Sequence, residues 1–165
     1  MRIAGVVRDS IVDGEGIRDV VFFQGCPHRC EGCHNSQTWD YNGGTVYTAA
    51  EIVKELSESS NDITISGGEP LNQWNALIRL LKLIRSTTSK RVWLYTGNTV
   101  IPTKGIYRYL AKYVDVIVDG KYVKDLRDTN LLFRGSSNQR IIDLPKSVEA
   151  NEIVLWEEHN EKVLG

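Results

Sequence analysis

Six short apolar runs, rich in β-branched and aromatic residues, lie at 20–23, 63–65, 92–95, 114–118, 141–142 and 153–156. Runs of this length and composition predict strands, several of them buried on both faces. The patterns between them have a helical period. Thr48, followed by Glu51 three residues on, forms a capping box, after which Ala49, Ile52, Val53 and Leu56 share one face. Trp74, Leu77, Ile78, Leu81 and Ile84 repeat at helical spacing, and a shorter repeat covers 106–114 through Leu110 and Tyr113. Alternating strands and helices predict parallel βαβ units, with the apolar stripes as core. At 165 residues the chain has the length of one domain, predicted over 1–165.

In such architectures the loops leaving the C-terminal ends of the strands converge on one edge, where ligands collect. The distinctive loops of this chain all fall there. Gly25-Cys26 follows the first run, Ser66-Gly67-Gly68-Glu69-Pro70 the second, Thr96-Gly97-Asn98 the third and Asp119-Gly120-Lys121 the fourth. The 20 basic and 21 acidic residues are interspersed, which gives no footprint for nucleic acid or an anionic membrane. No apolar run approaches the roughly 18 to 20 residues of a membrane span, and the first residues lack the apolar stretch of a signal peptide. With its thiols clustered and free of an export signal, the chain is expected in a reducing cytoplasm.

Those thiols are the three cysteines of the chain, all within CPHRCEGC at 26–33. An odd number leaves at least one thiol outside any disulfide framework, and a CxxxCxxC loop can turn three thiolates toward one centre. Two metal chemistries fit the spacing. Cys26, Cys30 and Cys33 with His28 or His34 would complete a closed tetrahedral zinc site. Structural zinc, however, usually stands in for a missing core, and this chain has a core. Alternatively, three thiolates hold three irons of a [4Fe-4S] cube, leaving the fourth iron open to an exogenous ligand. A ligand chelating that iron through amino and carboxylate groups would lie near the loop Ser66-Gly67-Gly68-Glu69, which offers unhindered backbone and a carboxylate for an ammonium. Glu69 equally suits the start of a helix near 71–72.

The CxxxCxxC loop followed by a strand and a GGE-type loop resembles the radical S-adenosylmethionine superfamily. The likeness extends through DGEGIR at 13–18, CHN at 33–35 with Thr38-Trp39, SGGEPL at 66–71, YTG at 95–97, VDGK at 118–121 and FRGSSNQR at 133–140. Together these elements, spanning roughly 10–143, are similar to the activating proteins of anaerobic ribonucleoside-triphosphate reductase. Glu15 stands where that family often has proline, and Glu69 where it often has aspartate.

The resemblance implies an α/β fold of the incomplete, parallel β/α-barrel type seen in radical S-adenosylmethionine enzymes. It implies a [4Fe-4S] cluster on Cys26, Cys30 and Cys33, and S-adenosylmethionine bordered by Gly32, Cys33, His34, Ser66, Gly67, Gly68 and Glu69. Cluster and cofactor would carry the chemistry: reductive cleavage to methionine and a 5′-deoxyadenosyl radical, which takes hydrogen from one glycine of the reductase large subunit. An external one-electron reductant, such as flavodoxin or ferredoxin, is implied as well. Arg18, Asp119 and Lys121 are candidates to orient a carboxylate or ribose, or are simply strand-end charges. Ser136, Ser137 and Asn138 form either an ordinary turn or a partner-facing surface, and Trp39 belongs to core or lid. Residues 144–165, with His159, are a C-terminal extension without an assigned role. The rival readings are an activase of another glycyl-radical enzyme such as pyruvate formate-lyase, a zinc-stabilised non-catalytic binding module, and a plain electron-transfer ferredoxin.

Overall fold

The computed structural model of the protein describes residues 1–158, so His159 lies outside the described residues. In chain order the elements are β1 (Arg2–Ser10), β2 (Arg18–Phe23), β3 (Thr45–Val46), α1 (Ala49–Leu56), β4 (Asp62–Gly67), α2 (Trp74–Thr87), β5 (Val92–Tyr95), α3 (Gly105–Leu110), β6 (Val116–Asp119), β7 (Arg140–Asp143) and α4 (Leu144–Ala150). The strands form one open sheet in the order β3-β1-β2-β4-β5-β6-β7. Its four central strands, β2, β4, β5 and β6, are parallel, as the alternation predicts. Both margins depart from that prediction, because β1 pairs antiparallel with β2 and β3, and β7 antiparallel with β6. The chain between β6 and β7 contains a single 3₁₀ turn, Lys124–Leu126, and no crossover helix, so β7 returns beside β6 in the opposite direction.

The run at 153–156 is not a strand. It lies against β7 through an isolated bridge between Ile142 and Leu155, supported by the Trp156 amide donating to the Ile141 carbonyl at 2.9 Å. β1, β3 and α4 have no counterpart among the predicted elements.

The two sheet faces differ. One is covered by helices: Ile52, Val53 and Leu56 of α1, Leu77, Leu81 and Ile84 of α2, Leu110 of α3 and Leu144 of α4 pack with Val21, Phe23, Ile63, Ile65, Leu94 and Ile117 in the main core. The capping box of α1 is present, with the Thr48 hydroxyl accepting from the Glu51 amide at 3.2 Å and the Glu51 carboxylate from the Thr48 amide at 3.1 Å. On the opposite face Trp93, Val116 and Val118 make a smaller cluster with Tyr95, Phe133, Ile141 and Trp156. That face receives loops in place of helices and remains partly open. No helix among the described residues is long and apolar enough to cross a membrane.

Arg18 belongs to this fabric. It stands at the start of β2, the end of the strand away from the cysteines. Its guanidinium donates to Thr64 Oγ1 and to the carbonyls of Glu15, Ile63 and Arg91 at 2.8–3.0 Å, and it lies 5.5 Å from the centre of the Trp93 ring. Burial lowers its pKa to about 10.

Leu81 is fully buried at the centre of the helix-covered face. Leu81→Ala is expected to cost about 2–5 kcal/mol through the cavity it leaves, read as a lower urea midpoint with the secondary structure retained before the transition.

Candidate functional site

The register of the parallel strands aligns their C-terminal ends, opposing Phe23 to Gly67 and Tyr95 to Val118. The four motif loops leave this edge together. The first of them, carrying the cysteines, is closed at its base: the Gly25 amide donates to the Thr38 carbonyl at 2.6 Å and the Cys26 amide to the Trp39 carbonyl at 3.3 Å. The Gln24 side chain spans the same base, donating to the carbonyls of Gln37 and Asp40 at 3.2 and 2.7 Å. Trp39 half-buries at this closure, with the Arg29 guanidinium 6.0 Å from its ring centre.

All three cysteines are free thiols, Cys26 buried and Cys30 and Cys33 half-buried. With His28, Ser66, Gly67 and Gly68 they line one pocket of about 140 Å³. A backbone amide already addresses one sulfur: Asn35 N–H donates to Cys33 Sγ at 3.4 Å. Burial pushes the Cys26 thiol up, partly offset by the nearby backbone amides of His28 and Arg29. Among the described residues no three His, Cys, Asp or Glu side chains converge tightly enough to hold a single metal ion. Three uncommitted thiols around one pocket, one of them already taking an N–H donor, fit an iron-sulfur cube, in which each thiolate ligates a different iron.

The second loop is pressed into the first. The Gly68 amide donates to the Phe23 carbonyl at 2.9 Å and the Glu69 amide to the Gly25 carbonyl at 2.8 Å. A Cβ on Gly67 would sit 2.3 Å from the Phe23 backbone, and one on Gly68 2.3 Å from the Gly25 carbonyl oxygen. Gly67 also has φ +113°, so both positions require glycine.

Glu69 is fully buried. Its Oε1 accepts from the Thr96 hydroxyl at 2.6 Å, and from the Gly97 amide and the Asn98 side-chain amide at 3.0 Å each; His28 Nε2 also lies 3.0 Å away. Its second oxygen takes the Leu71 amide at the start of the 3₁₀ turn Pro70–Gln73. The carboxylate therefore ties the cysteine loop, its own loop and the Thr96–Asn98 loop together. His28 lies close enough to this last loop that a Cβ on Gly97 would come within 2.6 Å of its ring.

The other predicted residues separate. His34 lines a larger adjoining cleft of about 570 Å³ that runs over the open sheet face and shares Cys33, Asn35, Ser66, Tyr95, Tyr122 and Gln139 with the cysteine pocket. Its ring meets Tyr122 edge-on at 5.7 Å. Gly32 packs outside both cavities, against the side chains of Lys124 and Tyr122. Asp119 is buried under the Arg140 guanidinium, at 3.0 and 2.6 Å, and also accepts from the Val100 amide. Lys121 is exposed at the pocket edge. The 134–139 stretch is a clasp: Gln139 accepts from the amides of Gly135 and Ser136 and donates to the Gly120 carbonyl, and Asn138 donates to the Lys121 carbonyl. Ser136 is buried, while Ser137 and Asn138 are exposed. The roles of Thr96 and Asn98 on Glu69, and of Tyr95 and Gln139 between the two cavities, were not legible in the chain. The polar composition of their loops was the available signal.

Comparison with known proteins agrees with this chemistry. The family described as a 4Fe-4S single cluster domain matches residues 12–142, which defines the class as an iron-sulfur domain with one cluster. The anaerobic ribonucleoside-triphosphate reductase-activating protein of Enterobacteria phage T4 is 41% identical over 139 residues, covering 80% of this chain and 87% of that protein. Proteins of the same name from Escherichia coli K12 and Vibrio cholerae are 37% and 34% identical, each over about four-fifths of this chain and nine-tenths of the relative. The chain belongs to the family of anaerobic ribonucleoside-triphosphate reductase-activating proteins.

Glu69→Ala strands several buried donors at once, each worth about 1–3 kcal/mol when unpaired. The metal-free variant is expected to unfold at lower urea than wild type and to be cut faster by protease within 25–39. Unchanged stability and cleavage would show that the carboxylate does not tie the loops.

Proposed function

We propose that the chain is a radical S-adenosylmethionine oxidoreductase that activates an anaerobic ribonucleoside-triphosphate reductase by raising a glycyl radical on its large subunit. The supporting observation is the donor set: three free thiols around one pocket on the strand-end edge, with the histidine of that pocket, His28, engaged by Glu69. Cys26, Cys30 and Cys33 hold the [4Fe-4S] cluster in this reading, and no protein side chain takes the fourth iron. The open sheet, parallel at its centre, is compatible with the incomplete β/α barrel that this reading expects.

When bound, cluster and S-adenosylmethionine supply one-electron cleavage of the sulfonium to methionine and a 5′-deoxyadenosyl radical, which takes a hydrogen atom from the partner's glycine. The electron comes from an external one-electron reductant of the flavodoxin or ferredoxin kind, in the cytoplasm. The chain's own residues place and enclose. Cys33 and His34 border the cofactor from the cysteine loop, with Gly32 behind them on the loop 120–126. Ser66, Gly67 and Gly68 present strand-end backbone without side chains that obstruct it. Glu69 acts one layer behind, holding the cysteine loop and the Thr96–Asn98 loop at fixed separation.

Anaerobically reconstituted protein is expected to be brown, with about four iron and four sulfide per chain. Cys26→Ala, Cys30→Ala and Cys33→Ala should each lose the cluster, and His34→Ala should retain it; one tightly held zinc in a colourless protein would overturn the reading. Reduced protein mixed with S-adenosylmethionine and the reductase should give a glycyl signal by electron paramagnetic resonance, and its absence with an intact cluster would sink the assignment.

A further inference from the structure

The basic and acidic residues are interspersed along the chain except in one stretch. Between Glu69 and Asp115 stand eight basic residues and no acidic one, leaving twelve basic against 21 acidic elsewhere. A near-neutral total thus hides a cationic segment in an otherwise acidic chain. That segment supplies α2 and α3 on the helix-covered face, which meet through Trp74 and Tyr109 with ring centres 6.1 Å apart.

Three cations and three rings gather at this meeting. Lys82 Nζ lies 5.9 Å and Lys112 Nζ 5.0 Å from the centre of the Tyr109 ring, and Tyr113 meets the same ring edge-on at 5.6 Å. Arg79 borders a shallow depression of about 420 Å³ together with Trp74 and Tyr109. Arg79, Lys82 and Lys112 are exposed, and none of them is in an ion pair among the described residues. Other cations of the stretch are engaged, Arg85 by Asp115 at 2.7 Å and Lys90 by the carbonyls of Leu56, Ser59 and Asn61. The three rings are half-buried and rest on the main core, so little freedom is left for a partner to take from them. Rigid Trp and Tyr beside Arg are the residue types that carry binding energy at protein interfaces. Unpaired cations around them select a surface of opposite charge.

The patch is joined to the cysteine loop from behind. Just ahead of Trp74, the Gln73 side chain donates to the Gln24 carbonyl at 3.0 Å and the Asn72 side chain to the Tyr41 hydroxyl at 2.8 Å. Tyr41 in turn covers Gly25, where a Cβ would come within 2.6 Å of its ring. The helix that carries the patch is therefore fastened to the base of the cysteine loop on the helix-covered side. A molecule seated there leaves the open face of the sheet clear.

We propose that this patch docks the external reductant, and that the reductant is a small electron-carrier protein with an acidic surface. The inference rests on the function proposed above, which requires such a donor. One electron passes from the carrier's reduced flavin or iron-sulfur group to the oxidised cluster, so the carrier is oxidised by one electron, the cluster is reduced by one, and no covalent bond forms or breaks. Redox encounters use small, charge-steered interfaces, and an exposed cationic patch with a few rigid rings is of that kind.

The probe is a flavodoxin of net negative charge, with two readouts on the reconstituted protein in the absence of S-adenosylmethionine and reductase: binding of the oxidised carrier by biolayer interferometry, and the anaerobic rate at which the reduced carrier bleaches the cluster absorbance. Arg79→Glu combined with Lys82→Glu should weaken binding and slow reduction about tenfold or more at low salt, and Lys112→Glu should do so severalfold. In about 0.5 M salt the difference from wild type should shrink to about twofold or less. Lys54→Glu combined with Arg91→Glu makes the same change of net charge at exposed positions off the patch and should behave as wild type. Reduction by photoreduced deazaflavin, which needs no docking, should proceed alike in all of them. Iron content and the thermal midpoint verify the fold, and glutamine at the same positions stands in for any variant that fails that check. Patch variants that match the control overturn the proposal, as do a loss that persists with deazaflavin and a wild type that does not bind the carrier. Patch-dependent binding and reduction, with no glycyl signal once S-adenosylmethionine and the reductase are added, would uphold the docking surface and overturn the proposed activity. A wild type that assembles no cluster overturns that activity at the outset, and carrier binding alone then decides the patch.

Discussion

The site depends on one buried carboxylate. Glu69 receives the donors of Thr96, Gly97 and Asn98 on one oxygen, with His28 beside them, so three loops that leave three different strands share one anchor. Carboxylates are rarely buried without such partners, because each lost water contact must be replaced. The replacement here is made by the loops that the site needs to hold still. Gly67 and Gly68 allow the second loop to press onto Phe23 and Gly25, and the cysteine loop takes its position from that contact. The thiols are consequently set by the sheet edge.

The two faces of the sheet divide the work. The helix-covered face holds the main core and supplies stability through burial. The other face has a smaller aromatic cluster around Trp93 and carries the cleft. A mixed sheet serves this arrangement. The antiparallel β1–β2 hairpin throws its tip over the open face, and the return from β6 to β7 without a helix leaves the 120–139 loops free to form the opposite wall.

Much of this was legible in the chain. The helices α1 and α2 announce themselves by period and capping, and four β-branched runs give the parallel centre. β1 does not, because register shifts beside Gly5 and before Ser10 break the alternation that identifies a strand. α4 is two turns long, too short for a period, although its Asp143 cap and Pro145 are a recognisable start. The cysteine loop and the strand-end glycines point to the site directly, since their spacing and composition carry the chemistry. What Glu69 and Arg18 do is not a local property: an acid after two glycines fits a ligand, a helix cap or a hub equally well until neighbouring loops are placed around it. The 134–139 clasp is similar, its sequence resembling any polar turn while its Gln139 and Ser136 bond inward.

The central claim is that the three cysteines hold a cube whose fourth iron is left for S-adenosylmethionine. The most direct test is the electron paramagnetic resonance spectrum of the reduced, reconstituted protein, recorded with and without S-adenosylmethionine and in the absence of any partner. A cofactor that ligates the open iron changes the cluster signal, and that change is the predicted result. A spectrum indifferent to saturating S-adenosylmethionine, with the cluster intact, would contradict the account and return the chain to simple electron transfer.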